Sequence, residues 1–503
     1  MTSGGGSQAT GGKTNTGGTS NSGGESGTGG SIGANTGGTK IGGSTGTVGG
    51  RSGAGGAAGG AGAAGGTTSA GGSTGTPPGG VTVNLDQTKQ VMDGFGITNT
   101  WAPALSDSEA DALFDPTKGL GLSILRVGMG SDGNPVSSNI FSDIKKAKAR
   151  GVDKFIGTLW TAPAKCRDNN SEYGGGHLLT SCYDSWATTI AAFPGQVKSN
   201  AGVDLYAMSV QNEPDYCGFN GLDPCSANYS GMLYTAAEMV AFMKVVGPNL
   251  RALDPPVKVV APETSEWVHL WTNDSAPGST NPLNGKYDYG HALAKDPEAW
   301  AQVDIVGTHQ YDTQVAEPWP SDVPQTKPIW MTEMSGIKWW PEQGPSSDIN
   351  NGVAVAGWIH DAIVNGLASA WIWWWYKVSS TDDNEGLILK DGTDTKRHYT
   401  LGHYSRFIRP GYTRVDIAGE SPKDVLLSAY RGADGTVVVV AINKGTASAT
   451  LPIRIDGGTV PASLTPWVTS ASDNLASKTA VTVSGGSFTA TLASMTVTTF
   501  VGK

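Results

Sequence analysis

Short apolar runs recur from about residue 94, and the stretches between them carry helical periodicity. Runs at 94–98, 123–128, 154–159, 205–211, 257–261, 305–309, 329–332 and 370–374 read as eight strands. Amphipathic stretches at 138–150, 183–199, 235–253 and 351–365 read as helices between them. Strands alternating with helices imply a parallel sheet with right-handed crossovers. Eight such units over residues 93–410 predict a (β/α)8 barrel with extended loops. From residue 411 to 503 the pattern shifts to short β-rich runs spaced by turn residues, as in an antiparallel β-sandwich. Residues 81–92 open with an apolar/polar alternation that has no place in the barrel. They are expected to supply the first strand of the sandwich, so that the chain starts in the side domain, runs through the barrel and returns.

Composition changes the picture at the N-terminus. Of the 73 glycines, 33 fall in residues 1–80, a stretch without aromatic residues. Such a segment buries too little apolar surface to offset its ordering entropy, and is expected to be a disordered Gly/Ser/Thr tether. No charged and apolar leader opens the chain, so an export signal or anchor is expected ahead of Met1. The net charge of −10 offers no basic stripe for nucleic acid, and no apolar run is long enough for a membrane-spanning helix. Four cysteines in two close pairs favour Cys166–Cys182 and Cys217–Cys225 as disulfides, with two cross-pairings left open. Paired cysteines, 16 tryptophans and sparse charge fit an extracellular or cell-surface protein that handles a neutral polymer.

The site of such a barrel forms where the strands end at their C-terminal side. The fourth strand runs into Asn212-Glu213-Pro214 and the seventh into Thr332-Glu333. Strands four and seven face each other, so the two carboxyls can converge on one bond. Glycoside hydrolysis needs such a pair: one protonates the leaving oxygen and the other attacks. Proline after Glu213 stops the ladder beside the carboxyl. Arg126, ending the second strand, is a candidate to keep one of the two carboxyls ionised, with a structural ion pair as the alternative. His309 ends the sixth strand and has a satisfied core histidine as its alternative. Tyr311, two residues on, is placed to hydrogen-bond and orient one of these carboxyls. Sugar rings stack on aromatic faces, and Trp101, Trp160 and Trp373 follow or end strands one, three and eight. Alternation divides the run Trp371-Ile372-Trp373-Trp374-Trp375-Tyr376 between two faces, and at least half of it belongs to the core.

Several longer stretches resemble glycoside hydrolase family 30, in its bacterial glucuronoxylanase-like branch. They are Val210-Gln211-Asn212-Glu213-Pro214-Asp215-Tyr216, Gly307-Thr308-His309-Gln310-Tyr311-Asp312-Thr313-Gln314, Trp330-Met331-Thr332-Glu333 and Phe407-Ile408-Arg409-Pro410-Gly411-Tyr412. Ser470-Ala471-Ser472-Asp473-Asn474-Leu475 and Val497-Thr498-Thr499-Phe500-Val501 add to the likeness. The resemblance implies a retaining endo-hydrolase with Glu213 as acid/base, Glu333 as nucleophile, Asn212 on the sugar 2-hydroxyl and Trp373 as a platform. It implies no metal and no cofactor. The branch also implies an arginine and a tyrosine in the loop after the eighth strand, reading a methylglucuronate side group. Here that loop, residues 376–386, has no arginine; its nearest cation is Lys377, and Asp382, Asp383 and Glu385 would repel a uronate. The expected activity is a xylanase without strict glucuronate dependence, acting as a monomer on a plant cell-wall polysaccharide. An endo-hydrolase of a β-1,6-linked glucan or galactan is the first alternative, and a non-catalytic polysaccharide-binding module the second.

Overall fold

The computed structural model describes residues 79–218, 225–274, 282–312, 315, 318–336, 347–377 and 385–503. Most of the expected tether, and Asp382 and Asp383, lie outside these residues. Strand β1 (Val81–Val91) leads into eight parallel strands: β2 (Gly94–Thr98), β3 (Ile124–Met129), β4 (Lys154–Leu159), β5 (Ala207–Ser209), β6 (Lys258–Thr264), β7 (Ile305–His309), β8 (Ile329–Glu333) and β9 (Ala368–Lys377). Each pairs with its neighbour in parallel, and β9 pairs with both β8 and β2, which closes the barrel.

The two faces of these strands explain their near-continuous apolar sequences. Ile124, Ile156, Ala207, Val260, Ile305, Trp330, Ala370 and Ile372 point into the lumen and fill it. Trp330 stacks on Tyr206 with ring centroids 5.8 Å apart, and its indole N–H donates to Asp93 at 2.9 Å, plugging the end opposite the site. The alternate positions, among them Leu125, Phe155, Val259, Val306, Met331, Trp371 and Trp373, pack outward with the helices. These helices are α1 (Asp107–Phe114), α2 (Ile140–Lys148), α3 (Tyr183–Ala201), α4 (Ala236–Arg251), α5 (Tyr289–Lys295), α6 (Pro297–Gln302), α7 (Ile349–Val364) and α8 (Lys396–Ser405). Capping boxes, Ser106 with Glu109 and Thr235 with Glu238, start α1 and α4. Helices α1, α5, α6 and α8 are additions to the sequence reading; three of them are no longer than eight residues, too short for a clear period.

Short strand β10 (Gly386–Ile388) pairs in parallel alongside the end of β9, and the rest of the chain builds the sandwich. Its strands are β11 (Thr413–Gly419), β12 (Val425–Arg431), β13 (Val437–Asn443), β14 (Ala449–Asp456), β15 (Ser463–Thr469), β16 (Ala476–Ser477), β17 (Val481–Thr482), β18 (Ser487–Leu492) and β19 (Thr496–Gly502). β1 lies between β11, antiparallel, and β14, parallel. The valine run of β13 is buried on both faces. Val437, Val439 and Ala441 join the sandwich core, while Val438, Val440 and Ile442 pack with the barrel's helical layer. That second face holds the sandwich against the barrel. The two cysteine pairs are Cys166–Cys182 and Cys217–Cys225, both disulfide-bonded.

Candidate active site

The strand ends deliver a compact set of buried polar side chains to the barrel mouth. Glu213 follows β5, with its amide bonded to the Glu263 carbonyl at the end of β6, 3.0 Å away. Its φ of +45° is left-handed, an uncommon conformation for a non-glycine residue, and it turns the carboxyl into the mouth. Glu333 ends β8, directly across. One oxygen of Glu213, one of Glu333 and one nitrogen of His309 all lie within 4.8 Å of one another.

The two carboxyls have different partners. Glu333 accepts from Arg126 at 2.7 Å and from the Tyr311 hydroxyl at 2.8 Å. Glu213 lies 3.0 Å from His309 Nδ1 and accepts the Tyr229 hydroxyl on its other oxygen. Burial is the largest influence on both and pushes both above the ordinary carboxyl value. On Glu333 it is opposed by His309, Arg126 and Tyr311. On Glu213 it is opposed by Tyr229 and Arg126 but reinforced by Asp215 and Glu263, and the carboxyl is carried up to about 8. Glu213 is therefore the group that keeps its proton, and Glu333, with a guanidinium on one oxygen, the one that ionises first.

Arg126 is fully buried: it donates to Glu333, to Asn212 Oδ1 at 2.5 Å and to the Thr158 hydroxyl at 3.4 Å, and forms an ion pair with Glu263 Oε1 at 3.3 Å. Glu263 also accepts from Thr158 at 2.9 Å and from Ser209. Burial pushes its carboxyl up, but Arg126, His309 and these hydroxyls outweigh that and hold it below the ordinary value. Sequence reading missed Glu263 because the apolar run of β6 was ended at Ala261. The signal was there, since Pro262-Glu263 sets a proline beside a glutamate at a strand end much as Glu213-Pro214 does. Asn212 points its Nδ2 into the site without a hydrogen-bond partner, and His309 Nε2 is likewise unpaired.

Among the aromatic candidates, Trp101 and Trp160 meet at the rim with centroids 4.7 Å apart. Trp101 is 46% exposed and also has a left-handed φ. Trp373 is not with them. Its side chain is fully buried on the helical side of β9, its indole N–H held by the Glu385 carbonyl at 2.7 Å. The β9 tryptophan beside them is Trp374, which lies 5.8 Å from Trp160 and 6.3 Å from Trp101. The reason is the phase of the alternation: Ala370 and Ile372 face the lumen, so 374 continues that face and 373 does not. The Arg126 guanidinium carbon lies 5.2 Å from the Trp160 ring and 5.9 Å from that of Trp374, so the cation forms part of the cleft floor. At the end of β9, Tyr376 donates to the Pro103 carbonyl and Lys377 is paired with Glu109 at 2.7 Å.

A closed β/α barrel with two buried glutamates facing each other at this spacing, under an aromatic rim, has the architecture of a glycoside hydrolase. The comparisons agree. Residues 141–389 match O-glycosyl hydrolase family 30, and residues 411–500 match the glycosyl hydrolase family 30 beta sandwich domain. Glucuronoxylanase XynC of Bacillus subtilis is 33% identical over 439 residues, covering 84% of this chain and 91% of that protein. The family 30 endoxylanase of Clostridium papyrosolvens is 30% identical, with a TM-score of 0.67 over 84% of this chain and 100% of its own. The family 30 subfamily 8 xylanase Xyn30A of Clostridium acetobutylicum is 29% identical, with a TM-score of 0.69 and the same coverage. The chain belongs to glycoside hydrolase family 30.

Proposed function

We propose that the protein is an exported, retaining endo-β-1,4-xylanase that does not require a glucuronate branch. The observation that carries the mechanism is the unequal pairing of two carboxyls in one buried site. Glu333, held by Arg126 and Tyr311, attacks the anomeric carbon while Glu213 gives its proton to the departing glycosidic oxygen. The C–O bond breaks, a glycosyl ester forms on Glu333, and Glu213 is left as carboxylate. Water then enters, Glu213 takes its proton, the hydroxyl displaces the ester, and Glu333 regains its charge. An oxygen separation within 4.8 Å supports direct attack, because an inverting site needs room for water between wider-spaced carboxyls. Asn212 Nδ2 is a free donor for a sugar hydroxyl beside the nucleophile.

The relatives' names support xylan as the polymer. Relaxed branch dependence is supported by the end of β9, where Lys377 is paired with Glu109 and Tyr376 is tied to backbone, so neither is set to clamp a uronate. Two disulfides support an oxidising compartment, and residues 1–78 have the composition of a tether to a cell surface. The reading is of a monomer. The test compares products from glucuronoxylan, unsubstituted or arabinose-branched xylan, and two β-1,6-linked polymers, a glucan and a galactan. Xylo-oligosaccharides from all xylans, cut independently of glucuronate position, are expected. Release from the β-1,6 polymers alone would overturn the assignment, and cuts at a fixed distance from each glucuronate would overturn the branch independence.

A further inference from the structure

Tyr229 reaches the acid/base carboxyl from a loop that no strand end or sequence motif marks, and the loop is built around its ring. The segment leaves the barrel mouth directly after Glu213, is closed by the Cys217–Cys225 disulfide, and returns through Ser226, whose amide lies 3.0 Å from the Cys217 carbonyl and 2.9 Å from that of Gly218. The Tyr229 amide bonds back to the Ser226 carbonyl at 3.1 Å, and the Tyr229 carbonyl accepts from Gly174 of the neighbouring loop. Tyr216 meets the ring edge to face at 5.1 Å. Two glycines leave it room: a Cβ on Gly218 would fall 2.5 Å from the tyrosine Cβ, and one on Gly231 would fall 2.4 Å from ring carbon Cε1. Arg167, buried and bonded to the Gly231 carbonyl at 2.8 Å, fixes the far side. The outcome of this packing is one polar contact, the phenol O–H on Glu213 Oε2.

We propose that Tyr229 is a positioning residue for the proton-transfer step: the disulfide-closed loop holds its hydroxyl on one oxygen of Glu213, leaving that carboxyl oriented and tuned to give up a proton and take it back. This rests on the acid/base reading of Glu213. When Glu213 passes its proton to the leaving oxygen, it becomes a carboxylate, and the Tyr229 O–H donates to the new charge, which stabilises it. Without that donor the carboxyl holds its proton more tightly. The effect is the same in sign as the opposition Tyr229 offers to burial in the resting site.

The test is Tyr229→Phe, assayed as kcat/KM against pH on xylan and on a nitrophenyl xylobioside, whose leaving group departs without protonation. The basic limb should move to higher pH by about 1 unit, and kcat/KM on xylan should fall by about 10-fold, against less than about 3-fold on the nitrophenyl substrate. Gly231→Ala keeps the phenol but pushes the ring from its seat. Its backbone is not left-handed, so the strain falls on the ring contact, and the variant should reproduce the same displacement of the limb. An unmoved limb in both variants, or equal losses on the two substrates, would mean the tyrosine only props the loop and would overturn the proposal. Wild-type protein that cleaves neither substrate would instead remove the hydrolase reading beneath it.

Discussion

Two buried histidines, one at the barrel mouth and one at the seam between barrel and sandwich, are treated in opposite ways. His403 of α8 is bonded on both nitrogens, to Thr499 and Thr469 hydroxyls at 2.9 Å each. His309 is equally buried, yet has one nitrogen on Glu213 and the other on nothing. The asparagines repeat the contrast. Asn443, at the end of β13, gives its amide nitrogen to the carbonyls of Ala447, Leu492 and Ala493, whereas Asn212 leaves its own unpaired. An unsatisfied buried donor costs about 1–3 kcal/mol. His403 and Asn443 escape that cost, whereas His309 and Asn212, which would meet a sugar at the mouth, retain it. The first two thus serve folding, and the second two await a ligand.

Substitutions can break this division. The largest effect belongs to the mouth: Glu333→Gln should lower turnover by at least ~10⁴-fold while leaving the urea midpoint nearly unchanged, since on the proposed mechanism the nucleophile is lost but the amide keeps the volume. Steady-state kinetics and equilibrium unfolding on the same sample check both halves. The seam should respond to acid instead. Burial holds His403 down to about 3, below its ordinary value of 6.5, so its folded form binds fewer protons than the unfolded chain. Its contribution to stability is complete above pH 6.5 and is lost as pH falls toward the folded value, on the order of 3 kcal/mol between pH 6.5 and 4. Thermal melts across that range should show the decline, and His403→Gln should lessen it without touching kcat, the remainder coming from groups such as His360, which burial holds down to about 4. The smallest effect is at the rim: Trp374→Ala should raise KM about 5-fold with a lesser change in kcat, while the same change at Trp373 should act on stability, seen as a lower melting temperature.

How much of this was legible in the sequence depended on whether the signal was local. The eight barrel strands carry apolar runs bounded by turn residues, and the two glutamates end such runs, so both fold class and central pair could be read directly. The choice between Trp373 and Trp374 could not, because alternation divides a run of aromatics into two sets without saying which set faces the lumen. Ala370 and Ile372, the small and medium residues that fit the barrel interior, were the available clue. Tyr229 had no signal of its own. It lies in a loop, and its contact with Glu213 depends on a disulfide, two glycines and a neighbouring loop acting together.

Arg126 is divided between two acids, and that sharing has an electrostatic consequence. With Glu213 and His309 neutral, one guanidinium faces both Glu263 and Glu333, so the cavity retains a single surplus electron charge. A sugar approaching its transition state becomes cation-like at the ring oxygen and anomeric carbon. Had Arg126 been reserved for Glu333, the pocket would be electrically balanced before the sugar arrived and would have less to offer that positive charge. Glu263, itself fully buried, prevents this: it draws off part of the arginine's field, and the remaining imbalance complements the transition state of the proposed reaction.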